Sequence, residues 1–168
     1  MRTPRTVIAF LFALAVSSDA VAQGTILLVR HAERADAVSG GSPMMASDPS
    51  LSEAGRRRAE SLAAVLRDAA LTAIYVTEYK RTQETAAPLA TALGIAVTTV
   101  PAKDTAGLVE RLRAARGNVL VVGHSNTVPE IVKALGILPP LTIEDNEFDD
   151  LLIVTAAPQP QLLRLHYR

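Results

Sequence analysis

Short, unbroken apolar runs alternate along this chain with stretches in which apolar residues recur every three or four positions. No feature constrains the fold more. Thr25–Val29, Ala73–Val76, Ile95–Val100 and Val119–Val122 read as strands buried on both faces. Between the first two, Ser52 can cap a helix over about 53–69, where Ala59, Leu62, Ala63 and Leu66 fall on one face. Lys80–Leu93 is helical in pattern and stops at Gly94, with Pro88 expected to kink it or delay its start. Leu108, Val109 and Leu112 mark a helix ending near Gly117. Val128, Ile131, Val132 and Leu135 mark another ending at Gly136, with Pro129 tolerated in its first turn. Leu151–Thr155 and Gln161–His166 read as two closing strands, and the link between them is short enough for a hairpin. The pattern predicts an α/β fold: a single three-layer α/β/α domain with a largely parallel sheet and an antiparallel portion.

Composition removes several classes of function. Apolar residues make up 49% and charged residues 20%, which excludes wholesale disorder. Seventeen basic residues balance seventeen acidic ones, so a broad basic surface for nucleic acid is not expected. The absence of cysteine excludes disulfides, thiolate metal sites and a cysteine nucleophile.

Residues 1–22 have the layout of a signal peptide. Arg2 and Arg5 are followed by ten apolar residues, Val7 to Val16, and then by Ala20-Val21-Ala22 as a cleavage site. A membrane span needs ~20 apolar residues, and Ser17, Ser18 and Asp19 end the run sooner. The expectation is an exported protein, periplasmic or secreted, with residues 23–168 as its domain. No stable membrane insertion is expected after cleavage.

In open α/β sheets, ligands bind beyond the carboxyl ends of the strands. Arg30 and His31 follow the first strand, Thr77-Glu78-Tyr79-Lys80-Arg81 the second, and Gly123-His124-Ser125-Asn126 the fourth. Two histidines and two arginines therefore gather at one sheet edge. Guanidinium groups match phosphate oxygens, and the helix opening at Ser125-Asn126 turns its free N–H groups the same way. A neutral imidazole there can act as a nucleophile toward phosphorus. His31 is the candidate nucleophile. Arg30, Arg81 and His124 are candidates to hold the oxygens, and Glu33 and Glu78 to protonate the leaving group.

Val29-Arg30-His31-Ala32-Glu33, Leu51-Ser52-Glu53-Ala54-Gly55, Tyr79-Lys80-Arg81-Thr82-Gln83-Glu84-Thr85-Ala86 and Val122-Gly123-His124-Ser125 together resemble the histidine phosphatase superfamily, of phosphoglycerate-mutase-like fold. The resemblance spans roughly residues 25–155 and favours the compact phosphatase branch. It implies phosphorylation of His31 and a phosphate pocket of Arg30, Arg81 and His124. Ser125 would join the pocket on the substrate side. It implies no metal and no cofactor, and as partner a phosphorylated small molecule or phosphoprotein. Ala32 stands where the family often has glycine. Ser125 stands where the phytase-like branch has an acidic residue, so the acid falls to Glu78, narrowly preferred, or to Glu33, which can instead pair with Arg34.

Other readings compete. His31, Glu33, Asp36 and His124 are acceptable zinc ligands, although two fixed cations beside them oppose a divalent ion. A phosphate-ester binding module without catalysis and a mutase are the alternative functions. If His31 must be neutral and His124 serves as a cation, a bell-shaped pH profile follows. Arg56-Arg57-Arg58 reads as a solvated helix face, His166 as structural and Tyr75 as packing. Asp145 and Glu147 belong to a solvated acidic loop that could overhang the site. Met44-Met45 either line a pocket or pin a loop.

Overall fold

Local signals in the sequence set most of the elements. In the computed structural model, which describes residues 24–35, 48–155 and 159–168, β1 (Ile26–Arg30) is followed by α1 (Glu53–Leu66), β2 (Leu71–Val76), α2 (Lys80–Leu93) and β3 (Val97–Thr99). Then come α3 (Thr105–Ala114), β4 (Asn118–Gly123), α4 (Thr127–Ala134), β5 (Asp150–Thr155) and β6 (Gln161–His166). Ser52 caps α1, its hydroxyl accepting from Gly55 N at 3.0 Å. Asp104 does the same for α3 through Gly107 N.

Several details differ from the sequence reading. β1 runs one residue further, placing Arg30 inside the sheet opposite Gly123. α1 stops at Leu66 rather than 69, because the chain turns through Ala70, at φ 48°, into β2. Pro88 neither ends α2 nor delays its start at Lys80. β3 is shorter than expected, because Ile95 N is spent on Ala90 O in closing α2 behind the left-handed Gly94.

The six strands lie in the order β3-β2-β4-β1-β5-β6. β3, β2, β4 and β1 are parallel, while β5 pairs antiparallel with β1 and forms a hairpin with β6. Alternate strand residues feed two cores. Leu28, Val119, Val121 and Leu152 pack with Leu108, Leu112, Val128 and Ile131 of α3 and α4. Leu27, Val29, Ile74, Leu120 and Val122 pack with Leu62, Leu66, Ala86 and Leu89 of α1 and α2. Each such side chain, fully buried, contributes ~1.5–3 kcal/mol. Apolar burial thus clamps the sheet between two helical layers, as the alternation predicts.

Register fixes where the strand ends fall. Val76 of β2 lies opposite Val122 of β4, and Arg30 of β1 opposite Gly123. Three neighbouring parallel strands therefore end almost level. The residues that follow them, Thr77, His124 and His31, emerge side by side. The turn after β1 is held against the start of α1 by Ser52 N donating to Glu33 O at 2.9 Å. A Cβ at position 55 would sit 2.2 Å from that carbonyl, so only glycine permits this approach.

Residues 1–23, 36–47 and 156–158 lie outside the described residues. The signal-peptide expectation, Asp36, the Met44-Met45 pair and most of the hairpin link fall there. Among the described residues, no helix is long and apolar enough to cross a membrane.

Candidate active site

His31 and His124 lie together, ring centroids 5.3 Å apart and nearly edge to face. Both are buried, at 4% and 7% exposure. Arg81 reaches them from the first turn of α2, its Nη2 3.4 Å from His124 Nδ1. Arg30 stands beside His31 at the end of β1, and its charge is felt by both rings. The four groups singled out in the sequence therefore form one cluster.

His31 is set by backbone. Its N–H donates to Gly123 O at 2.9 Å, and its Nδ1 lies 2.8 Å from Ala32 O. A carbonyl only accepts, so Nδ1 carries the proton and Nε2 keeps a free lone pair. Ala32 N in turn donates to Thr85 Oγ1 at 3.0 Å, tying the turn to α2. Burial, with help from Arg81, His124 and Arg30, pushes the His31 pKa down to about 3. The ring is neutral across the physiological range and ready to act as a nucleophile.

His124 is also neutral. Burial first, then the charge of Arg81, pushes its pKa down to about 4, while the Glu78 carboxylate opposes the shift. The expectation of a cationic His124 thus needs correction for the free protein, because two guanidinium groups and desolvation disfavour a third positive charge. Its Nε2 lies 3.0 Å from Thr77 Oγ1.

Each arginine is backed by an aromatic ring. Arg30 Cζ lies 4.1 Å from the centre of Phe148, and Arg81 Cζ lies 4.2 Å from that of Tyr79. Tyr79 also meets His124 edge-on at 5.2 Å, and Phe148 lies 6.2 Å from His31. The segment before β5 completes the holder for Arg30. Nη1 donates to Glu144 O and Glu147 O at 2.8 and 3.0 Å, and Asp145 lies 4.0 Å from Nη2. The acidic loop does reach the cluster, mainly through its carbonyls. Asp48 lies 3.7 Å from Arg81 and accepts from Lys80 N at the start of α2.

The two candidate acids separate. Glu33 is gripped by Arg58, with Nε and Nη2 2.7–3.0 Å from its oxygens. That ion pair holds its pKa below the usual carboxylate range despite burial. A carboxylate so held is a poor proton donor. Glu33 pairs with Arg58, not Arg34, and Arg58 is a structural partner rather than part of a solvated face. Arg57, by contrast, does lie on the surface, paired with Glu53. Glu78 is exposed, near enough to His124 to influence its charge, and accepts from Ala102 N at 2.7 Å. Ser125 sits half-buried just after His124, next to the start of α4.

The zinc set does not assemble among the described residues, because Glu33 turns to Arg58. There, the grouping with ligand atoms close together is Asp149, Asp150 and His166, remote in sequence from the histidine pair. Arg164 already holds Asp150 through two hydrogen bonds. Tyr75 packs against the core as expected.

Sequence reasoning passed over Thr77, Tyr79, Thr82, Thr85 and Phe148 as contributors. Phe148 carried a signal: it is the one Phe, Tyr or Trp between Tyr79 and Tyr167.

Such a cluster can bind a tetrahedral oxyanion between two guanidinium groups while presenting an imidazole lone pair to its centre. Residues 26–111 match the histidine phosphatase superfamily (branch 1), and the chain belongs to that superfamily. It is therefore a phosphatase by family. A comparison with curated protein sequences finds no match. Solved structures share the fold. A mycobacterial glucosyl-3-phosphoglycerate phosphatase, in complex with VO3, superposes with a TM-score of 0.68 at 18% identity, covering 86% of this chain and 100% of that one. An Escherichia coli K-12 protein described as a candidate α-ribazole-5'-P phosphatase gives 0.67 at 14% identity, covering 85% and 96%. A candidate phosphohistidine phosphatase, SixA from Agrobacterium tumefaciens, gives 0.63 at 20% identity, covering 85% and 98%.

Proposed function

We propose that this protein is an exported, metal-independent phosphatase that hydrolyses phosphate monoesters, or phosphohistidine, through a phosphohistidine on His31. One observation carries the reading: the Nδ1–Ala32 O hydrogen bond leaves His31 Nε2 free, in a pocket shared with His124, Arg30 and Arg81. The phosphoryl group lies between the two guanidinium groups, with Ser125 at the rim. His31 Nε2 attacks phosphorus in line, the ester P–O bond breaks, and the leaving oxygen takes a proton from Glu78. Glu78 is preferred to Glu33 because Arg58 holds Glu33 as an anion. Water then attacks phosphorus, giving its proton to Glu78 as the P–N bond breaks, and inorganic phosphate leaves. Two guanidinium groups supply the positive charge that a metal supplies elsewhere. Export rests on the layout of residues 1–22.

The test is a panel of phosphorylated compounds, with and without EDTA, followed by denaturing alkaline quench of labelled substrate. Label on His31 and turnover indifferent to EDTA are expected. Saturable binding without label would instead mark a phosphate-ester binding module. A label that resists water and passes to a second acceptor would mark a mutase-like phosphotransferase. Fractionation of cells expressing the full chain tests export.

A further inference from the structure

The hydroxyls behind His124 form a chain that can run in only one direction. Thr82 Oγ1 lies 2.8 Å from Tyr79 O and 3.2 Å from Thr77 O, carbonyls that cannot donate. Thr82 therefore spends its single proton on the main chain, chiefly at the shorter contact. Thr77 Oγ1 lies 2.9 Å from Thr82 Oγ1 and must be the donor of that pair. Thr77 then has no proton left for His124 and can only accept from Nε2, 3.0 Å away. The chain is shielded: Thr82 is fully buried and Thr77 7% exposed. A further bond, Thr77 N to Thr82 Oγ1 at 3.2 Å, fixes the two residues across the turn from β2 to α2.

The consequence for neutral His124 is a proton on Nε2 and a lone pair on Nδ1, the nitrogen that faces Arg81. His31 has the opposite tautomer. A fully deprotonated phosphoryl oxygen meeting that Nδ1 would set lone pair against lone pair. A proton between them turns the clash into a charge-assisted hydrogen bond.

We propose that Thr77 and Thr82 are positioning residues that fix the tautomer of His124, so that this site takes up its phosphoryl group together with one proton, shared between a phosphate oxygen and His124 Nδ1. The inference rests on the phosphatase reading of the pocket and adds the protonation state in which the substrate binds. The charged and titratable groups facing His124 are Arg81 from α2, Tyr79 at its N-cap, Glu78 from the turn after β2, Arg30 from the end of β1 and His31 just beyond it. The two guanidinium groups oppose a proton on Nδ1 in the free protein. An incoming dianion cancels that opposition and itself has a proton affinity near pKa ~6.

Phenylphosphonate is the probe, because its dianion carries no proton of its own and its P–C bond offers no ester oxygen to release. Calorimetric titration at pH 8, in two buffers of different ionisation enthalpy, counts the protons taken up on binding. The wild-type protein is expected to take up close to one proton per phosphonate bound, and Thr77→Ser, which keeps the hydroxyl, the same. Thr77→Val frees the ring to place its proton on Nδ1, and uptake should fall toward zero. Imidazole ¹⁵N spectra of the unliganded wild-type protein should show His124 protonated on Nε2, a readout that survives if Thr77→Val fails to fold. Binding without proton uptake, equal uptake in wild type and Thr77→Val, or His124 protonated on Nδ1 would each overturn the proposal alone. Phenylphosphonate that does not bind at any pH would overturn the reading of the pocket, and the proposal with it.

Discussion

The two halves of the pocket hold their histidines by different means. On the β1 side, main-chain carbonyls take the polar hydrogens: Ala32 O fixes His31, and the carbonyls of residues 144 and 147 fix Arg30, with Phe148 behind it. On the β2–β4 side, side chains do it: Thr77 and Thr82 fix His124, and Tyr79 backs Arg81. Main-chain carbonyls are present whatever the local residue type, whereas a hydroxyl chain is lost by one substitution. The nucleophile side should therefore tolerate changes around it, and the binding side should be tunable.

The sharpest way to break this contrast is at the proposed nucleophile. His31→Ala should lower turnover of an aryl phosphate by on the order of 10³-fold or more and abolish the alkali-stable, acid-labile label; retained turnover would end the mechanism. On the other side, Arg81→Ala should cost about 10²–10³-fold in kcat/KM while still allowing slow labelling of His31. An unlabelled Arg81→Ala protein would show that the two halves do not divide binding from chemistry.

Acid stability probes both halves at once. Each histidine is held well below the usual value of about 6.5, so the unfolded chain takes up protons that the folded protein refuses. Their contribution to stability is complete above pH ~6.5 and is lost as pH falls toward the folded values of about 3 and 4. Melting temperature followed by circular dichroism should decline from pH 7 to pH 5, and less steeply in His124→Gln. A flat profile would contradict two buried neutral rings. The acid limb of activity should likewise lie well below pH 6.5, not at the position an ordinary histidine gives.

The smallest effect is expected away from the pocket. Arg58→Ala removes the partner of a partly buried Glu33 and should cost about 1–2 kcal/mol in urea denaturation. Its effect on kcat should be within a few fold. A large loss of kcat would return Glu33 to candidacy as the acid.

What the sequence revealed, and what it hid, has a physical basis. Arg30, His31, Arg81 and His124 were readable because each follows a recognisable apolar strand, and parallel strands present their carboxyl ends together. The antiparallel hairpin was readable from the short link before Gln161. The pairing of Glu33 with Arg58 was not, because it joins residues 25 apart whose approach depends on the packing of α1. Phe148 was hidden for a similar reason: its contact with Arg30 joins residues far apart in sequence and depends on how the loop before β5 returns beside β1. The threonines lay in plain view, Thr77 directly after the second strand and Thr82 in the run that opens the next helix. Their role needs donor–acceptor accounting that spacing alone does not supply.

The sheet order has a consequence for how the pocket comes into being. β1 and β2 never touch; β4 lies between them and brings His124 with it. A growing or partly threaded polypeptide that ends before Gly123 has His31 and Arg81 but no strand to bridge them. Chemistry in this molecule must therefore wait for the late insertion of a central strand, and shorter precursors should be inert.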